Sequence, residues 1–233
     1  MGENNEVGRD ERKALHGEAY VKRFEQEHSV ERISRLVPMM GLSGAEEIVD
    51  IGCGNALSLA ALNGRIASYA GVDFSEPFIE AAQQRAHSLD VKNVEFFCGS
   101  AESYAEINAS RFDIALALDI SEHVYDEEWL LILRAIYKLL KTGGKLFIHT
   151  PNLDFFIERM KARNIILKQF PEHVAVRTLT QNIQLMEQAG FHVRVARALP
   201  HYNRLSFLHP LSHLPKIGGY FEARLFIEAQ KPD

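Results

Sequence analysis

A chain of 233 residues with 26 Lys+Arg against 31 Asp+Glu, a formal charge of −5 and 46% apolar residues has an ordinary globular make-up, which excludes a disordered or fibrous protein. No apolar run approaches the ~18 residues of a membrane span, the N-terminus lacks the apolar core of a signal peptide, and two cysteines, Cys53 and Cys98, are too few for a disulfide framework. The chain therefore reads as a cytoplasmic protein without a membrane partner. Acids outnumber bases 24 to 15 over residues 1–150, whereas bases lead 11 to 7 over 151–233. A basic final third suits an anionic small molecule, but no dense Lys/Arg run supports nucleic acid as a partner.

Residues 1–45 read as an N-terminal helical cap, with Leu15, Ala19, Phe24, Ile33, Leu36 and Val37 near helical spacing. Pro38 and the Gly41–Gly44 stretch end it. From residue 46 to 233 short apolar strands alternate with amphipathic helices. Strands are expected at 46–52, 69–74, 93–98, 112–119 and 145–150, and helices at 56–65, 76–89 and 127–141. Ser75 is placed to cap the second helix, with Pro77 in its first turn, and Gly143-Gly144 to close the third. The near-continuous apolar strands and the strand–helix rhythm indicate an α/β fold with a doubly wound, mostly parallel sheet. A helix at 153–162 follows, then one opened by Thr180 and ended by Gly190. Alternating strands at 192–199 and 221–229 suit an antiparallel edge pair. The insert 200–219, with three prolines, Gly218-Gly219 and several aromatics, is a long loop suited to a lid or a dimer contact, so monomer and homodimer both fit.

The first strand runs into Asp50-Ile51-Gly52-Cys53-Gly54-Asn55-Ala56 and then a helix. Glycines there allow close backbone approach, and the helix start offers N–H groups to an anionic group. Twenty-one residues after Gly52 the second strand ends in Asp73, placed to accept hydrogen bonds from ribose hydroxyls. A dinucleotide fingerprint asks for a third glycine where this chain has Leu57, and the buried Asp50 ill suits a pyrophosphate. Leu57 argues against a dinucleotide, and Asp50 suits a nucleoside cofactor with a cationic end.

At this point the sequence resembles the class I S-adenosylmethionine-dependent methyltransferases, closest to the small-molecule branch with the ubiquinone-biosynthesis O-methyltransferases. Asp50–Gly54 matches the family's glycine-rich motif and Gly71-Val72-Asp73-Phe74-Ser75 its ribose-binding motif. Asp119-Ile120-Ser121-Glu122-His123-Val124 resembles the segment after the fourth strand, and Leu140–Leu146 the turn into the fifth. Pro171-Glu172-His173 and Gln188–Phe191 also have counterparts. The resemblance covers roughly residues 46–200. It implies a seven-stranded Rossmann-like sheet of order 3-2-1-4-5-7-6 with the last strand antiparallel. It also implies S-adenosylmethionine as cofactor, held by Asp50, Gly52, Cys53, Gly54, Asp73, Phe74, Ser100, Ala101, Asp119 and Ile120. Many relatives carry an acid for the adenine amino group where this chain has Ser100, whose hydroxyl can accept one hydrogen bond but carries no charge; Glu102 lies two residues on and is not counted among the cofactor residues.

Methyl transfer to a hydroxyl or amine requires a nucleophile in line with the departing sulfur, and histidine suits the proton it loses. His123, His173 and His149 are the candidate bases, with His201 behind them. His209 and His213 have the four-residue spacing of a metal pair but no third ligand, so no metal site is expected. The acceptor reads as a small molecule of aromatic or anionic character. A non-catalytic cofactor-binding subunit that activates a partner methyltransferase, and a nicotinamide dehydrogenase, are the other readings.

Overall fold

A computed structural model describes residues 17–163, 173–201 and 204–232. In chain order the elements are α1 (Glu18–Glu27), α2 (Val30–Ser34), α3 (Val37–Met40), β1 (Glu47–Ile51), α4 (Leu57–Leu62), β2 (Ser68–Asp73), α5 (Glu76–Ser88), β3 (Val94–Cys98), α6 (Ala101–Ile107) and β4 (Phe112–Leu118). A 3-10 turn at Ser121–His123 precedes α7 (Asp126–Leu139), β5 (Leu140–Pro151), α8 (Phe156–Ala162), α9 (Leu179–Gln188) and β6 (His192–Leu199). Two further 3-10 segments, Arg204–His213 and Gly218–Phe221, lead to β7 (Arg224–Gln230).

The strands form one seven-stranded sheet in the order β3-β2-β1-β4-β5-β7-β6. The pairs β1–β2, β2–β3, β1–β4 and β4–β5 are parallel, and β7 runs antiparallel to both neighbours. This is the expected α/β class and strand order. Both faces are buried, which is why the central strands are apolar without alternation. On one face Val49, Ile51, Ala115 and Ile148 pack with Trp129, Leu133 and Ile136 of α7 and with Met186 and Phe191. On the other, Ile48, Leu116 and Phe147 meet Leu36, Val37 and Met40 from the N-terminal helices. Among the described residues no helix is long and apolar enough to cross a membrane.

Four local expectations change. Gly143-Gly144 does not close α7, which stops at Leu139; the pair lies inside β5, where Gly143 N–H donates to the Lys231 carbonyl at 3.0 Å. Pairing with the chain's last strand claims these residues before a helix end can. Thr178, not Thr180, opens α9: its hydroxyl accepts from Gln181 N–H at 3.2 Å while Gln181 Oε1 accepts from Thr178 N–H at 2.9 Å, a reciprocal cap. Ser75 precedes α5 but its side chain makes no capping bond. Most of the 200–219 insert is 3-10 helix; Tyr202 lies outside the described residues, as do residues 1–16 of the cap.

Candidate functional site

Parallel strands end together, and in an open sheet the crevice beyond their carboxyl ends collects the connecting loops. Here a cavity of about 410 Å³ lies beyond β1, β2, β3 and β4, roofed by Phe24 of α1 and Arg32 and Ile33 of α2. Its size falls within the ~300–1,000 Å³ typical of small-molecule sites.

The β1–α4 loop forms its floor. Gly52 and Cys53 both donate backbone N–H to the Val72 carbonyl, at 2.8 and 3.1 Å, tying the loop to β2. Gly52 has φ +70, and a Cβ there would sit 2.8 Å from Ile120 Cδ1. Asp50 lies beneath the loop, where its Oδ2 accepts from the Ser58 hydroxyl and, at 2.7 Å, from Tyr69. Burial pushes its carboxyl up to about 6. Asp50 borders the cavity, but its hydrogen bonds run into the protein. Cys53 also borders it; burial, with the charges of Asp73 and Asp50, pushes its thiol well up, which makes it a poor nucleophile.

Asp73 ends β2 with Oδ2 accepting from Gly54 N–H at 3.0 Å and Oδ1 from Ser75 N–H at 2.9 Å. Two backbone donors fix the carboxylate at the cavity wall. Phe74, 42% exposed, stands beside it. Ser100 and Ala101 line the wall past β3, but the Ser100 hydroxyl caps α6, accepting from Ser103 N–H at 3.1 Å. Two side chains of the wall carry buried polar atoms with no hydrogen-bond partner: both amide atoms of Asn55, and Oε2 of Glu102. Such groups cost free energy unless a ligand satisfies them.

Beyond β4 the chain passes through Asp119 with φ +57, then Ile120, which lines the cavity, and the 3-10 turn. The Asp119 carboxylate lies between the guanidinium groups of Arg32 and Arg224, with His149 Nδ1 at 3.0 Å. Burial opposes its ionisation, but Arg224 and Arg32 outweigh burial and hold the carboxyl well below the usual range. His149 is wholly buried on β5, does not line the cavity, and is pushed down to about 4 by burial. It sits behind Asp119, where it meets that carboxylate and not the cavity.

His123 does line the cavity. Residues 173–177 are laid against its turn: Ala175 N–H donates to the Glu122 carbonyl at 3.1 Å, and Arg177 donates to the carbonyls of Ser121 and Val124. This brings the His173 ring edge-on to His123, with centroids 5.0 Å apart. Burial, then the charges of His123, Arg224 and Lys161, push His173 down to about 3. Glu122, also buried, is pushed up to about 8 by burial and by Asp119.

Of the sequence-derived candidates, Asp50, Gly52, Cys53, Gly54, Asp73, Phe74, Ser100, Ala101, Asp119, Ile120 and His123 gather on one cavity; His173 joins at its edge and His149 stands behind. Sequence reasoning passed over Asn55, Arg32 and Arg224. Asn55 carried a signal, as an amide directly after the glycine motif; the arginines carried none.

A sequence model described as a methyltransferase domain matches residues 42–191. The ubiquinone biosynthesis O-methyltransferase of Idiomarina loihiensis is 35% identical over 113 residues, 48% of this chain and 44% of that protein. Its counterpart from Pseudoalteromonas translucida is 30% identical over 174 residues, 72% of each chain. The chain thus spans less than half of the first relative's length. The fold is similar to the crystal structure of an S-adenosylmethionine-dependent methyltransferase from Archaeoglobus fulgidus, with TM-score 0.70, 18% identity, and coverage of 92% of this chain and 100% of that one.

Proposed function

We propose, starting from the fact that this chain belongs to the class I S-adenosylmethionine-dependent methyltransferases, that it moves a methyl group by in-line displacement onto a hydroxyl, or an amine, of a small-molecule acceptor. The observation that carries this reading is Asn55. Its buried amide offers an unpartnered donor and an unpartnered acceptor to the cavity, which suits the carboxylate and ammonium of an amino-acid end. Asp73 accepts from ribose hydroxyls, and the unpartnered Oε2 of Glu102 takes the adenine amino group in place of the acid that relatives carry at the position of Ser100. When bound, S-adenosylmethionine supplies a methyl group already activated by its sulfonium.

The chain's own task is then positioning, exclusion of water and management of one proton. Asp119, through Arg32, holds α2 over the cavity as a roof. The Glu122–His123–His173 edge meets the acceptor where its proton must leave. Phe24, Phe78 and Ile120 give the cavity an apolar side suited to an aromatic acceptor, as in the ubiquinone-biosynthesis relatives.

Calorimetric titration with S-adenosylmethionine and S-adenosylhomocysteine tests this. Micromolar binding is expected, weakened ten- to a hundredfold in Asp73→Ala, about 1.5–3 kcal/mol for the ribose contact. In an acceptor screen, His123→Ala should lower transfer about 10²–10⁴-fold while keeping product affinity. A well-folded wild type that binds neither ligand overturns the enzyme reading. Binding without transfer to any acceptor would favour a subunit that serves a partner enzyme.

A further inference from the structure

We infer that Arg177 is a positioning residue for methyl transfer: its guanidinium fixes the second half of the turn after β4, and with it the His123 ring, separately from the half that serves the cofactor. Arg177 is 3% exposed and makes four hydrogen bonds. Its Nε donates to Asp126 Oδ1 at 2.7 Å, Nη1 to the carbonyls of Ser121 and, at 3.1 Å, Ala175, and Nη2 to the Val124 carbonyl at 2.8 Å. The turn, the first residue of α7 and residues 175–177 thus meet on one planar fork. A lysine keeps the charge but gathers its donors on one nitrogen, so it cannot hold all three.

The backbone of the turn explains the need for a clamp. Asp119 enters it in the left-handed region, φ +57, and a single 3-10 turn at Ser121–His123 follows. Ser121 and Val124 lie at and just beyond the ends of that turn, where carbonyls need partners from elsewhere. Arg177 supplies both.

The two halves of the turn are held by different groups. Asp119 and Ile120 border the cavity. Asp119 is fixed by its own N–H, which donates to the His149 carbonyl at 2.7 Å, and by Arg32 and Arg224. Ser121 and Glu122 are tied to the Thr150 hydroxyl, at 2.8 and 3.3 Å. His123 comes next, and the fork closes on either side of it, while Ala175 N–H closes on the Glu122 carbonyl. So held, the His123 ring lines the cavity and meets His173 edge-on. The clamp deepens the function proposed above, and its effect on transfer rests on that reading. Misplacing a group by about 1 Å costs on the order of a hundredfold in rate, and release of Val124 gives His123 that freedom.

The test compares the full-length protein with Arg177→Lys, Arg177→Ala and Asp126→Ala, and with Arg134→Ala, an exposed position on α7, as the control. Asp126 is 66% exposed, so its loss loosens the clamp from the open side without entering the core. NMR with labelled histidine should show cross-relaxation between the ring protons of His123 and His173 in wild type and Arg134→Ala, and lose it in Arg177→Lys. Methylguanidinium should restore it in Arg177→Ala. S-adenosylhomocysteine affinity should stay within about threefold throughout. With a catechol as probe acceptor, kcat should fall about a hundredfold in Arg177→Lys and about tenfold in Asp126→Ala, with KM for S-adenosylmethionine unchanged. A ring contact that is absent from wild type or survives in Arg177→Lys overturns the proposal. So does a loss of S-adenosylhomocysteine affinity as large as the loss of kcat, which would make Arg177 a general support of the fold. If neither Arg177 variant folds, Asp126→Ala decides, and an unchanged ring contact there overturns the proposal. A wild type that neither binds S-adenosylhomocysteine nor methylates the probe removes the function proposed above, while the ring contact still decides what Arg177 holds.

Discussion

Asp50, Asp73 and Asp119 end three neighbouring parallel strands, and their partners give them different roles. Asp73 is pinned at the cavity wall by two backbone N–H groups. Asp119 meets two guanidinium groups and stays ionised. Asp50 meets two hydroxyl groups and no cation, so burial raises its carboxyl to about 6 from the ordinary 3.8. A carboxyl whose folded value lies above its unfolded one favours the folded state while protonated. That contribution is complete below about 3.8 and lost as pH rises through about 6. Asp50→Asn, which cannot ionise, should therefore flatten the stability profile between pH 4 and 7 relative to wild type, by on the order of 3 kcal/mol across the window. Urea denaturation at closely spaced pH values measures it, and parallel profiles for the two proteins would refute this account of Asp50.

The β1–α4 loop shows how an element's backbone serves the site. Gly52, Gly54 and Ala56 all take positive φ, which folds the loop back so that Gly52 and Cys53 bond to β2 and Gly54 bonds to Asp73. A side chain at Gly52 meets two penalties: a left-handed backbone, about 1–2 kcal/mol, and contact with Ile120 Cδ1 at 2.8 Å. Gly64 has φ +74 but open space around its Cβ position, so it meets only the first. Gly52→Ala should thus lose more stability than Gly64→Ala, by about 1 kcal/mol or more, and should also weaken S-adenosylhomocysteine by shifting Ile120 in the cavity wall. Equal losses in denaturant midpoint would show that Ile120 moves aside at no cost. Element ends were the least legible part of the sequence. The expected end of α7 at a glycine pair gave way because strand pairing with Lys231 lies ninety residues away and leaves no local trace.

For the whole molecule, the site joins the roof helices, four strand ends and residues 173–177, so a ligand there ties distant parts of the chain together. Any ligand of the folded state stabilises it by mass action, about 2.7 kcal/mol at a hundred times its Kd. For a chain of this size that is a rise in Tm of roughly 5–10 °C. S-adenosylhomocysteine should produce it and NADH should not; an equal rise with NADH would return the dehydrogenase reading. The sequence by itself determined the α/β class, the strand order through its family resemblance, and the glycine loop with Asp73. These follow from hydrophobic period, turn residues and short spacings, all properties of neighbouring residues. Only the tertiary structure decided that Asn55 and Glu102 lack partners, that His149 faces Asp119 and not the cavity, and that His173 meets Glu122 and His123. It alone joined Arg32 and Arg224 to Asp119 across 87 and 105 residues. Burial and partnership are set by packing between segments, and a local pattern of residues carries no record of which distant side chain will arrive.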